Sequence, residues 1–130
     1  MKHIIIYLPL YIFTGLLISC EKNQDKLAPT IELFSPSEGD TLESTNSEYD
    51  IKFKAHDEST LSKSILSIKD NNETEFVSEN REISGSDYTY TNTFTFNGTK
   101  GQIKKLTLKI TILDQSKNST SKNITFYVKL

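Results

Sequence analysis

"IKKLTLKITILDQSKNSTSKNITFYVKL", Ile103 to Leu130, decides the fold. Leu106, Leu108, Ile110 and Ile112 alternate with polar residues in its first half, and Ile124, Phe126, Val128 and Leu130 do the same in its second. Successive side chains of a β-strand point to opposite faces, so a period of two gives each run one buried side and one wet side. Between them "DQSKN", Asp114 to Asn118, is made of residues that bond loop backbone and end strands.

The same rule works outward along the chain. "YTYTNTFTF" puts Tyr88, Tyr90, Phe94 and Phe96 on one face, with Thr89, Thr91, Thr93 and Thr95 on the other, and the Asn-Gly turn signal of "NGTKG" follows. "YDIKFKAH", Tyr49 to His56, turns Tyr49, Ile51, Phe53 and Ala55 inward. "SILSIKD", Ser64 to Asp70, offers Leu66 and Ile68, and "NNET" turns the chain after it. "TIELF", Thr30 to Phe34, is a first strand stopped by "SPSEGD". Thr74 to Ile83 is weakly patterned and reads as one short edge strand whose charges guard against edge pairing. Seven strands with no helical period predict an all-β, immunoglobulin-like two-sheet sandwich over residues 29–130.

The first twenty residues obey a different rule. Lys2 and His3 precede an apolar run from Ile4 to Ile18 that contains Pro9 and Gly15, and Cys20 comes before any acidic residue. The run is shorter than the ~20 residues of a membrane span, and its layout is that of an export signal. Leu17, Ile18, Ser19 and Cys20 resemble the lipobox of bacterial lipoproteins. The resemblance implies a signal peptide at residues 1–19, cleaved before Cys20, and acyl chains on that cysteine. Two or more chains anchor stably, at roughly 0.8 kcal/mol per buried methylene. Residues 20–28 are then the lipidated cysteine and its tether. "EKNQDKLAP" is similar to the charged tethers of Bacteroidota lipoproteins that reach the cell surface, and reads equally as a solvated linker. The implied location is the bacterial outer membrane, on either its surface or its periplasmic side. Lipidation also explains a lone cysteine in an oxidising compartment.

Removing residues 1–19 leaves 111 of 130, enough for one domain. Lys2 leaves with the signal, so 15 basic side chains become 14 against 17 acidic, a net charge of −3. No basic stripe suits nucleic acid and no polybasic segment suits anionic lipid, so nucleic acid is not an expected partner. "PTIELFSPSEGDTL", with its P-x-I-x-x-x-x-P spacing, the aspartate after the second strand and the D-x-S-x-N turn at Asp114, Ser116 and Asn118 resemble the bacterial immunoglobulin-like domains of Bacteroidota lipoproteins. The paired cysteines and tryptophan of antibody domains are absent. A fold of this kind implies no activity by itself.

No enzyme is expected, because the chain has no G-x-S-x-G, H-E-x-x-H or glycine-rich phosphate loop. His56 beside Asp57 looks like a base and its orienter, yet neighbours on a strand face opposite ways. A cation site is the sharper expectation. In such a sandwich "HDEST" and "DQSKN" share one pole with the tether, which makes Asp57, Glu58, Asp114 and Asn118 candidate oxygen ligands for calcium. The competing reading is that these side chains bond loop backbone. Asp40-Thr41-Leu42 resembles the short O-glycosylation motif of Bacteroidota, with Thr41 the acceptor. Asn72, Asn97, Asn118 and Asn123 head N-x-[ST] triplets, which a bacterial lipobox leaves as chance matches. The functional expectation is a lipid-anchored binding or structural module of the cell envelope. The alternative is an accessory surface lipoprotein that grips a glycan or adhesive partner, in a calcium-dependent form where the pole holds the ion.

Overall fold

The computed structural model describes residues 25–43 and 48–130. The expected signal peptide, Cys20 and the expected tether up to residue 24 lie outside the described residues. Eight strands follow one another: β1 (Thr30–Ser35), β2 (Thr41–Glu43), β3 (Glu48–His56), β4 (Leu61–Asp70), β5 (Glu75–Glu82), β6 (Asp87–Thr95), β7 (Ile103–Asp114) and β8 (Ser119–Lys129). They form a three-stranded sheet in the order β1-β3-β6 and a five-stranded sheet in the order β2-β8-β7-β4-β5. β2 runs parallel to β8, and every other pairing is antiparallel. This is an immunoglobulin-like sandwich.

The core lies where the alternation placed it. Tyr49, Ile51, Phe53 and Ala55 of β3, Leu66 and Ile68 of β4, Tyr90 of β6, Leu106 to Ile112 at alternate positions of β7, and Ile124, Phe126 and Val128 of β8 are buried. Phe53 lies opposite Tyr90 in the β3–β6 register, and their rings stack at 4.9 Å with 15° between planes. Tyr88, Phe94 and Leu130 pack against this core while partly exposed. Thr89, Thr91, Thr93 and Thr95 are exposed on the outer face.

Three differences from the sequence reading have local causes. β2 is an eighth strand of three residues, too short to show a period. The stretch 75–82 is a full edge strand that pairs with β4 from Lys63↔Glu82 to Lys69↔Glu75. The Asn97-Gly98 signal does not close a hairpin, because β6 belongs to the small sheet and β7 to the large one, so the chain crosses the sandwich there. Its left-handed residue is Gly101 (φ 83°).

Side chains close the open flank between β5 and β6. Glu79 of β5 accepts from the Tyr90 hydroxyl at 3.1 Å and from Asn92 at 3.3 Å, and pairs with Arg81 at 2.7 Å. Burial, the leading cause, and the neighbouring Glu79 carboxylate push the Tyr90 phenol up to about 12. On the other flank β1 and β2 belong to different sheets, so this one segment edges both.

Candidate metal centre at the tether pole

One pole of the sandwich gathers the residues before β1, the β3–β4 loop, the β5–β6 connection and the β7–β8 turn. The strand registers require it: His56 pairs with Asp87, Leu61 with Asp114, and Leu113 with Ser119. Asp57 follows β3, and its amide donates to Ser86 O at 2.9 Å. Its side chain turns inward, leaving the residue 3% exposed. Asp57 Oδ1 accepts from the Ser59 amide at 2.8 Å and the Ser59 hydroxyl at 2.6 Å, an Asx turn that shapes the loop.

Asp114 ends β7 and is 1% exposed. Oδ1 accepts from the Asn118 amide at 2.8 Å and Oδ2 from Asn118 Nδ2 at 2.6 Å, while Lys117 takes the left-handed turn position (φ 70°). Asn118 Nδ2 also donates to the carbonyl of Asp25 at 3.0 Å, which fastens the segment before β1 to the turn. The Thr120 hydroxyl donates to Pro29 O just beyond. Asp25 Oδ1 accepts from the Leu27 amide at 3.0 Å. That bond, and after it the Ser59 hydroxyl, hold the Asp25 carboxyl below the usual carboxylate range.

Asp25, Asp57 and Asp114 therefore converge, each offering an oxygen within 4.8 Å of the others. Oδ2 of Asp25 and Oδ2 of Asp57 are shut off from solvent and accept no hydrogen bond. Among the described residues no lysine, arginine or histidine pairs with any of the three. Two unit negative charges no more than 4.8 Å apart repel by at least about 3.5 kcal/mol at an effective dielectric of 20. A hard cation is the chemical complement of such a set, since calcium takes carboxylate oxygens at about 2.3–2.6 Å.

Of the four residues singled out from sequence, Asp57 and Asp114 meet. Asn118 stands beside them, but its amide nitrogen bridges Asp114 to the tether, so it acts as a strut. The Glu58 side chain is exposed and stands outside the cluster. Asp25 was not singled out; the signal that pointed to it was the arrival of the tether at this pole. Loop bonding and convergence coexist here, because each turn engages some carboxylate oxygens and leaves others free.

Elsewhere, His56 is exposed and pairs with Asp87 Oδ1 at 3.0 Å, while Asp57 faces inward, so the two neighbours point apart. Thr41 is exposed on β2.

No protein family matches the chain, and no curated protein matches it. Among solved structures it is similar to catalytically inactive OgpA from Akkermansia muciniphila in complex with an O-glycopeptide (glycodrosocin) substrate, with a TM-score of 0.51 and 12% identity over 85% of this chain. The chain spans 32% of that protein. At this identity the likeness is one of fold.

Proposed function

We propose that this chain is a lipid-anchored, non-enzymatic binding or structural module of the bacterial cell envelope, held at the outer membrane by acyl chains on Cys20. What supports the anchor is Leu17-Ile18-Ser19-Cys20 at the end of an apolar run, and the attachment of Asp25 to the sandwich pole through Asn118 says which pole it holds. Asp25 is five residues beyond Cys20, and five residues reach at most about 17 Å. An anchor at Cys20 therefore holds this pole against the headgroups. β7, twelve residues long, carries the opposite pole roughly 40 Å further out. The Asp70–Thr74 turn and the 96–102 crossing lie there, and a partner meets them first.

Replacing Cys20 with Ser is expected to abolish fatty-acid labelling and release the protein from membranes. Membrane retention of the unlabelled variant refutes the anchor. Protease shaving of intact cells, with a periplasmic protein as leak control, then assigns the membrane face.

A second reading rests on the outer face of the five-stranded sheet, where Ser67, Lys69, Thr107, Lys109, Ser121 and Asn123 line a shallow groove. Hydroxyls, amides and ammoniums in one concave face suit a glycan, which makes the protein an accessory glycan-binding lipoprotein. Glycan-array binding that is lost in Thr107→Lys supports it, and no binding to any glycan removes it.

A further inference from the structure

We propose that Asp25, Asp57 and Asp114 bind one divalent cation, calcium by their oxygen donors, and that the ion locks the tether onto the sandwich. Two observations carry this independently. The first is the convergence of three carboxylates within 4.8 Å. Calcium accepts six to eight oxygens in flexible geometry, whereas magnesium demands a near-ideal octahedron and keeps most of its waters. The second is the pair of buried Oδ2 atoms, on Asp57 and Asp25, that accept nothing. Asp57 is 3% exposed and its other oxygen is committed to Ser59, so the free oxygen is held rigidly. A buried carboxylate oxygen without a donor is costly, and a cation satisfies it.

The arrangement also explains what the ion does. Asp57 lies in the β3–β4 loop, which crosses between the sheets, Asp114 ends β7 at the β7–β8 turn, and Asp25 precedes β1. An ion among them ties three separate segments together. Without it, the bonds from Asn118 and Thr120 hold the tether; with it, the attachment is ionic and depends on calcium concentration. Water fills the coordination positions that the carboxylates leave, as is common for calcium. The site does not depend on lipidation, so it stands or falls separately from the anchor.

The test uses the full chain in detergent, stripped with chelator and titrated with calcium and with magnesium by calorimetry. One calcium per chain is expected, in the range of extracellular modules, about 10⁻⁴–10⁻³ M. Calcium near 100 times its dissociation constant should raise Tm by roughly 10–20 °C and slow tryptic cleavage after Lys26. Asp57→Asn keeps the acceptor for Ser59 and removes the charge. It should bind calcium at least tenfold more weakly, yet melt in chelator no lower than the parent. Asp25→Asn lies outside every strand, so it leaves the sandwich intact and should lose both binding and protection. No saturable binding up to about 10 mM, well above that range, overturns the site. So does equal calcium binding by Asp25→Asn and the parent. Magnesium binding as tight as calcium overturns the assignment of the ion.

Discussion

Phe53→Ala tests the core most directly. The ring is 0% exposed, stacks on Tyr90 at 4.9 Å and meets Tyr88 edge-on at 6.1 Å. Removing a fully buried Phe side chain from apolar surroundings loses about 1.5–3 kcal/mol of transfer energy. Each aromatic pair adds about 0.5–1.5 kcal/mol. The neighbours belong to paired strands and collapse only partly, so the loss should reach about 3–5 kcal/mol, the range of Phe→Ala in cores. Against a total stability of about 5–15 kcal/mol that is a large fraction. Tm should fall by roughly 12–40 °C for a domain of this size. Urea unfolding of the parent and variant, followed by tyrosine fluorescence, measures it. Phe76→Ala is the internal comparison: that ring is 37% exposed at the sheet edge, with Lys104 Nζ 4.5 Å from its centroid, and its loss should stay below about 1.5 kcal/mol. A loss below about 1 kcal/mol for Phe53→Ala, or equal losses for the two variants, refutes the assigned inward face of β3.

Tyr90→Phe removes a hydroxyl that donates to Glu79 and sits 3.4 Å from Asn92 Nδ2, and should cost about 1–1.5 kcal/mol in denaturant unfolding. The phenol is raised in the folded state, so its stabilisation is complete below the unfolded value of 10.0 and fades as pH climbs towards about 12. The variant should show a shallower alkaline decline, and superimposable declines count against the buried hydroxyl. Asp87 is held low first by the His56 bond and then by Ser86, and Asp50 first by Lys52 and then by Thr93. Stability from a lowered carboxyl is present above its unfolded value of 3.8 and disappears as pH falls through the folded one. Asp87→Asn should therefore flatten the acid limb below about pH 4, and unchanged midpoints at pH 3 and 6 refute the contribution. Asn118→Ala deletes the strut between Asp25 and Asp114 and should cost about 1–2 kcal/mol while speeding tryptic cleavage after Lys26; parent-like cleavage means that the tether is held by other bonds.

The long strands were legible because each has one dry face, which forces the apolar residues into alternation. β2 was not, since three residues with only Leu42 turned inward carry no period. β5 was legible only as a weak edge, because one side of it has no strand partner and its Glu75, Glu79 and Glu82 serve solvent and the flank. The Asn-Gly signal at 97–98 misled for a related reason: local turn chemistry says where a chain reverses but not which sheet it joins next. At the pole, Asp57 and Asp114 could be read because one directly follows and the other ends a strand whose neighbours are fixed. Asp25 stands among lysine and amide residues that match any solvated linker, and only the three-dimensional meeting of segments gives it a role.

The parallel contact of β2 with β8 sets how the domain carries load. Gly39 donates to Thr125 O and Tyr127 to Asp40 O, both at 2.7 Å, the Thr125 amide donates to Glu38, and Lys129 pairs with Glu43 at 3.0 Å. All four lie between a segment that leads from the tether and a strand that runs to the far pole. Tension applied between Asp25 and that far pole slides the two segments lengthwise, so the cross-links share the force instead of opening one after another. A sandwich pulled along this axis is loaded in shear across the β2–β8 contact, its stiffer direction.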